Sequence, residues 1–305
     1  MKRLYILIAM VLIGMVGAHA QQDPQYTQYM YNMNVMNPAY AGSFEGLSLG
    51  ALYRSQWVGV DGAPKTATFN GHMPVGRKVG LGLSFVNDQI GPVKENNAYV
   101  DFSYTLELGG GHKLAMGVKA GATFYDVGLT GLDRLDADDP LLGEDVNSVS
   151  PNVGAGFYLY KPDTYYVSLS MPNIISTIHL DAENGKKVGS ETQHFFAAAG
   201  YVFGLSDNFK LKPHAMMKMA FDAPMTFDGN LNLFMYDIVE LGVGYRLEDS
   251  WTAMVNFMIT PQLRVGYAYD HIVSDLDINA NASHEIFLNF DILLSRKVSR
   301  SPRYF

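Results

Sequence analysis

The chain has 305 residues, 48% of them hydrophobic and 17% charged, with a formal net charge of −8. That apolar content excludes a wholly disordered protein, and the acidic balance excludes a sequence-independent grip on nucleic acid, which needs a basic face to displace counterions from phosphates. With no cysteine there is no disulfide framework, no zinc–thiolate centre and no lipid-modified N-terminal cysteine. Charged residues fall below the roughly 25% usual in soluble domains. Aromatics reach 12%, led by 19 Tyr and 17 Phe, and the combination points to an environment that is partly lipid.

Lys2 and Arg3 open the chain, Leu4 to Val16 form an apolar run, and Ala18-His19-Ala20 supplies a small-x-small cleavage pattern. Together they predict a secretory signal peptide over residues 1–20. Beyond it no stretch of about 18 apolar residues follows, so the mature chain has no transmembrane helix. An exported chain that lives in a membrane must then do so as a barrel. Residues 21–44 are rich in Gln, Asn, Tyr and Met. Tyr26, Tyr29, Met30, Met33 and Met36 would be wasted in water, and Pro38 would interrupt a ladder. This segment, with Asn37, Pro38, Ala39 and Tyr40 as its plug motif, is expected to fold into or beneath a lumen.

From about residue 45 the apolar residues recur with period 2. Val100, Phe102, Tyr104, Leu106 and Leu108 share one face, against Asp101, Ser103, Thr105 and Glu107. Leu114 to Phe124 and Ile286 to Leu294 alternate in the same way. A charge in mid-strand is costly in apolar packing and cheap where that face lines a wet lumen, which places Asp101, Glu107 and Lys119 inside. Fourteen strands are predicted, near 45–54, 65–73, 77–87, 96–108, 112–126, 150–161, 163–171, 192–204, 208–222, 225–236, 238–247, 250–260, 262–270 and 284–294. Short connections alternate with longer ones at 54–65, 87–96, 126–150, 171–192 and 270–284, and only 222–225 and 247–250 are short on the long side. The fold class that follows is all-β: a 14-stranded antiparallel transmembrane β-barrel over 45–294, with an N-terminal plug-like segment and a basic tail over 295–305. A secreted β-sandwich alternates too, but its polar face has no need of glycines as dense as Gly80, Gly82, Gly117, Gly121, Gly154, Gly156, Gly242 and Gly244.

The sequence carries no recognisable catalytic motif. There is no nucleophile elbow and no Walker loop, and His284-Glu285 lacks the second histidine of a zincin helix. The eight histidines have no metal-binding spacing. Asp133, Asp136, Asp138, Asp139, Glu144 and Asp145 are dense enough to suggest calcium, but they lack the spacing of a calcium hand and read as a solvated external loop. No enzymatic activity and no cofactor or metal is expected.

Placement is more informative. Arg54-Ser55-Gln56-Trp57 with Gly62 to Thr66, Asn87-Asp88-Gln89-Ile90-Gly91-Pro92, and Tyr267-Ala268-Tyr269-Asp270 leading to Ser283-His284-Glu285-Ile286 all flank long-side connections. In a closed barrel the last strand neighbours the first, so these clusters adjoin around the seam. Trp, Arg and Tyr beside rigid Gly/Pro turns have the composition of a protein-binding surface. Its candidate residues are Arg54, Gln56, Trp57, Asp88, Tyr269, Asp270, His284 and Glu285; the bland alternative is that they only shape the loops. The tail, with Arg296, Lys297, Arg300 and Arg303 ending in Phe305, is expected to act as a periplasmic docking strap for an acidic partner.

Asn37-Pro38-Ala39-Tyr40-Ala41-Gly42, Arg54-x-Gln56-Trp57, Gly80-Leu81-Gly82-Leu83-Ser84 running into Asn87-Asp88-x-Ile90-Gly91-Pro92, Tyr267-x-Tyr269-Asp270, Ser283-His284-Glu285-Ile286 and Ser301-Pro302-Arg303-Tyr304-Phe305 closely resemble the PorP/SprF family across the mature chain. The resemblance implies an outer-membrane component of the type IX secretion and gliding apparatus of Bacteroidetes-type bacteria. In that reading it is not an enzyme, binds no cofactor, and helps to secrete or anchor cell-surface adhesins. The partners implied are the C-terminal region of a secreted adhesin, other type IX secretion proteins such as periplasmic ring proteins or lipoproteins, and outer-membrane lipid. Asn37-Pro38-Ala39 is also similar to the plug element of FadL channels, so an outer-membrane channel for hydrophobic solutes is the alternative.

Overall fold

The computed structural model describes residues 24–129, 145–175, 178–182, 186–190, 193–220, 223–273 and 282–293. The signal peptide expected over 1–20, the carboxylates from Asp133 to Glu144 and the basic tail over 295–305 lie outside the described residues.

Three short helical turns, Tyr29–Tyr31, Met33–Met36 and Pro38–Tyr40, precede the strands. These are β1 (Gly46–Ser55), β2 (Lys65–Val75), β3 (Val79–Ile90), β4 (Val93–Gly109), β5 (His112–Val127), β6 (Val146–Lys161) and β7 (Tyr165–Met171). A separate hairpin, β8 (Ile178–Ala182) with β9 (Lys186–Ser190), interrupts the series. Then come β10 (His194–Tyr201), β11 (Phe203–Ser206), β12 (Phe209–Ala220), β13 (Ala223–Met235), β14 (Val239–Arg246), β15 (Ser250–Met258), β16 (Leu263–Ile272) and β17 (Ala282–Leu293). Each barrel strand pairs antiparallel with its neighbour; β1 pairs with β17, and the ring closes where β10 meets β12. Since β10 and β11 both pair with β12 as one stave broken at Val202, the barrel has fourteen staves. Closure leaves no sheet edge around the ring, which is what allows strands to cross lipid.

The burial pattern inverts that of a water-soluble protein. On β4 Val100 and Phe102 are exposed while Asp101 and Ser103 are fully buried, and on β3 Leu81, Leu83 and Phe85 point out while Gly82 and Ser84 point in. Apolar side chains outward and polar ones inward suit a lipid-facing band around a polar interior. No helix among the described residues is long and apolar enough to cross a membrane.

Two expectations need correction. Residues 87–96 are not a long loop: β3 and β4 run on to Ile90 and from Val93, joined through Gly91 and Pro92. Among the polar residues that suggest a loop, Asn87, Gln89 and Asn96 are outward-facing strand residues beyond the apolar stretch, with Asn87 and Asn96 hydrogen-bonded across the ladder at 2.7 Å, while Asp88 faces inward. Glu107 has the inward parity of Asp101 but is exposed, because it lies next to a register shift near the end of β4.

Candidate functional site

Residues 24–42 occupy the interior of the ring. Tyr29, Met30, Met33, Met36, Asn37 and Ala39 are each at most 3% exposed, and a buried Met or Tyr side chain of this kind contributes about 1.5–3 kcal/mol. Thr27 and Gln28 contact Glu285, while Thr27 also meets Arg54 and Asp270; these groups lie near the long-connection ends of β17, β1 and β16. Gly42 lies at the opposite end. Its N–H donates to His72 Nδ1 at 3.2 Å, close to the short β2–β3 turn. The segment therefore descends through the lumen from the long-connection rim to the face where β1 begins.

Three polar knots tie it to the wall. At the rim, Arg54 pairs with Asp270 at 2.7 Å and with Glu285 at 3.4 Å. The Glu285 carboxylate accepts the successive backbone N–H groups of Thr27 and Gln28 at 2.8 and 2.7 Å, and Thr27 Oγ1 donates to Asp270 at 2.6 Å. Along β12 to β14 Lys212 pairs with Glu240 at 2.7 Å, and the Tyr31 hydroxyl donates to the same carboxylate. Arg264 lies 4.6 Å from the Tyr31 ring centroid, and the ring stacks on Phe287. On the third side Lys119 donates to the Val35 carbonyl at 2.6 Å and lies 3.6 Å from Asp101, which accepts from Asn34. The charges of these ion pairs are all buried, and a low-dielectric interior requires such charges to be paired.

Glycines make room for the backbone. A Cβ at Gly117 would overlap the Ala39 nitrogen, one at Gly156 the Asn37 amide oxygen, and one at Gly80 the Ala41 carbonyl oxygen. The glycine-rich inner faces of β3, β5 and β6 are thus the contact surface for residues 37–41. Asn37 also caps its own turn through the Ala39 N–H at 2.9 Å and donates to Ser168 at 2.7 Å. Tyr40 packs edge-on against His72 and Tyr158.

The eight residues expected to share one external patch divide between three places. Arg54, Asp88, Asp270 and Glu285 face inward and are buried, Asp88 accepting from Thr66. Tyr269 and His284 face outward on β16 and β17, ring to ring, with Tyr267 bonded to His284 at 2.7 Å. Gln56 and Trp57 form the rim between them, both half-buried. Trp57 holds a left-handed backbone, φ 47°, with its N–H donating to Ser283 Oγ at 3.2 Å and the Val58 N–H donating to the Ala282 carbonyl. Inward groups that the sequence reading passed over are Lys212, Glu240, Arg264, Asp228 and Arg246. Period-2 parity along β12 to β16 would have found them.

A closed antiparallel ring with an apolar outside and a charged interior is an outer-membrane β-barrel, and the outer membrane is where this protein resides. Residues 18–290 match the family described as type IX secretion system membrane protein PorP/SprF. The chain belongs to the PorP/SprF family. No curated protein sequence matches it. Among solved structures it is similar to the CymD monoaromatic hydrocarbon channel (14% identity, 92% of this chain and 95% of that one, TM-score 0.51). It is also similar to the Acinetobacter baumannii outer membrane protein Omp33 (12%, 81% and 98%, 0.46) and to a Pseudomonas aeruginosa FadL homologue (11%, 88% and 95%, 0.45). The likeness to CymD is one of fold; the family match makes the chain a membrane component of type IX secretion.

Proposed function

We propose that the barrel is a non-enzymatic holding component of the type IX secretion and gliding apparatus, retaining a secreted adhesin at the cell surface through protein–protein contacts while its lumen stays closed. The observation that carries this reading is the interior itself. Residues 24–42 fill it through directional bonds to all sides, so the barrel offers a partner its rim and its short-turn face in place of an open pore. Trp57, Gln56, Tyr269 and His284 are the rim groups available to the adhesin's C-terminal region. Large rigid aromatic surface costs little ordering entropy on binding. Other type IX secretion proteins, periplasmic ring proteins or lipoproteins among them, then dock at the short-turn face where β1 begins and β17 ends.

A channel for hydrophobic solutes is the competing reading. Against it, the inner wall carries Lys119, Asp101, Lys212, Glu240, Arg54 and Asp270, which suit an apolar solute poorly. Affinity purification of the native complex from outer membrane, with mass spectrometry of what accompanies the barrel, tests the proposal. Co-purification of an exported surface protein is expected. Uptake of a labelled fatty acid by vesicles carrying the barrel, with no co-purifying partner, would favour the channel.

A further inference from the structure

At the rim, Arg54, Asp270 and Glu285 form a cradle that grips the protein's own chain at Thr27 and Gln28. Arg54, Asp270 and Glu285 come from three adjacent staves, β1, β16 and β17, and the guanidinium pairs with both carboxylates independently of the segment's own bonds. What it grips is generic to polypeptide. Glu285 takes two successive backbone N–H groups entering a helical turn, and Asp270, flanked by Thr252 at 2.8 Å, takes one hydroxyl. Of the four bonds the cradle makes to residues 27 and 28, two go to backbone N–H groups and two to the Thr27 hydroxyl.

The native occupant fits imperfectly. The Gln28 side chain is completely buried, yet among the described residues neither its amide oxygen nor its amide nitrogen has a partner, and Arg54 Nε is likewise buried without one. A buried amide left unbonded forfeits its hydration and gains nothing in return. The position of the cradle makes exchange feasible. It holds the start of the segment, Pro24 and Gln25 before it are half-buried, and a small cleft lined by Pro24, Tyr26, Val86, Tyr99, Pro172 and Phe196 lies beside them. The glycine-lined anchorage of Asn37 to Ala41 lies farther down and need not release.

We propose that Arg54, Asp270 and Glu285 form a peptide-binding site in which residues 24–30 are an exchangeable internal ligand. Its second occupant is an exported polypeptide segment carrying a hydroxyl residue at the start of a helical turn. The identity of that occupant rests on the partner-holding role proposed above; the exchange itself does not.

The test uses the full chain in lipid nanodiscs with Met30→Cys, the only thiol, at a position that is fully buried and makes no polar bond. The probe is a fluorescent synthetic peptide copying residues 24–31. The expected result is saturable binding together with at least about a tenfold faster reaction of the Met30→Cys thiol with a maleimide. The peptide with its threonine replaced by valine should bind about tenfold more weakly, and Glu285→Gln in the barrel should weaken the parent peptide to a similar degree. The valine peptide needs no change in the barrel, so the comparison stands even if Glu285→Gln fails to assemble. Absence of binding, binding with the thiol still shielded, or equal binding of the two peptides would each overturn the proposal. Failure to recover an adhesin from cells would count against the partner role and leave this result untouched.

Discussion

Arg54 on β1 and Asp270 on β16 form a 2.7 Å ion pair across β17, the stave that lies between theirs, and both are 1–2% exposed. Glu285 on that middle stave meets the same guanidinium. One cation thus serves two carboxylates at the seam where the last strand meets the first, and the same two carboxylates hold Thr27.

Arg54→Met should therefore be costly to the barrel. It leaves Asp270 and Glu285 buried side by side with no cation between them, and removing one member of a buried ionic group costs about 3–5 kcal/mol. Urea unfolding in lipid vesicles should show that loss. The triple change Arg54→Met, Asp270→Asn, Glu285→Gln should recover most of it, since no uncompensated charge is left. A single variant as stable as the parent would mean that water reaches the cradle.

Gly117→Val should unseat the lower segment. A side chain there would occupy the place of the Ala39 backbone, and overpacking of this kind costs about 1–3 kcal/mol. Hydrogen exchange should show residues 34–41 losing protection while the strand amides of β4 to β6 keep theirs. Unchanged protection at 34–41 would show that the wall yields and the segment does not.

The strands were legible in the sequence because the pleat writes its period of 2 onto every stave, and the lipid band on one face keeps the apolar residues consecutive along that face. Lys119 and Asp101 were placed in the lumen on that basis, and both lie there. The same parity misled where a strand outlasts the lipid: Asn87, Gln89 and Asn96 look like loop residues because outside the band outward positions are polar. Parity also says nothing about depth, so Glu107 was assigned to the lumen although it lies at the strand's end. The seam was the hardest to read. Arg54 and Trp57 are three residues apart in the chain, yet one points into the barrel and the other sits on the rim, because the strand ends at Ser55 and the backbone turns.

Lys212 and Glu240 should show strong coupling. Lys212→Met alone strands Glu240, which also holds Tyr31 and Asn232, whereas Lys212→Met with Glu240→Gln removes both charges. A double-mutant cycle by denaturant unfolding should return an interaction energy on the order of 1–3 kcal/mol. An energy near zero would mean that the pair is screened by water in the lumen.

All the longest connections lie on one side of the ring, and we propose that this side faces the outside. Asp61 lies on the β1–β2 connection and Gly110 in the tight β4–β5 turn, both exposed. An Asp61→Cys chain should label with a membrane-impermeant maleimide on whole cells, and a Gly110→Cys chain only after the outer membrane is opened. The reverse pattern would turn the barrel over, and with it the side on which the rim meets a secreted partner.

Trp57 allows the binding and architectural readings of the rim to be separated, because its backbone conformation and its side chain make different demands. A non-glycine residue at φ 47° carries a strain of about 1–2 kcal/mol, held here by the Ser283 and Ala282 contacts of the backbone. Trp57→Gly relieves that strain and keeps both backbone bonds, while deleting the aromatic surface. If the indole is a partner contact, this variant should retain its heat-modifiable migration on gels and its unfolding midpoint. Adhesin retention at the surface should nevertheless weaken by about 2 kcal/mol, the usual cost of removing a central aromatic anchor. Trp57→Ala should weaken retention equally and leave stability close to the parent's, since alanine keeps the left-handed strain that the parent already carries. If the indole instead braces the mouth of the barrel, Trp57→Gly should lose stability first and retention only in proportion. Normal retention with a damaged barrel would remove Trp57 from the binding surface altogether.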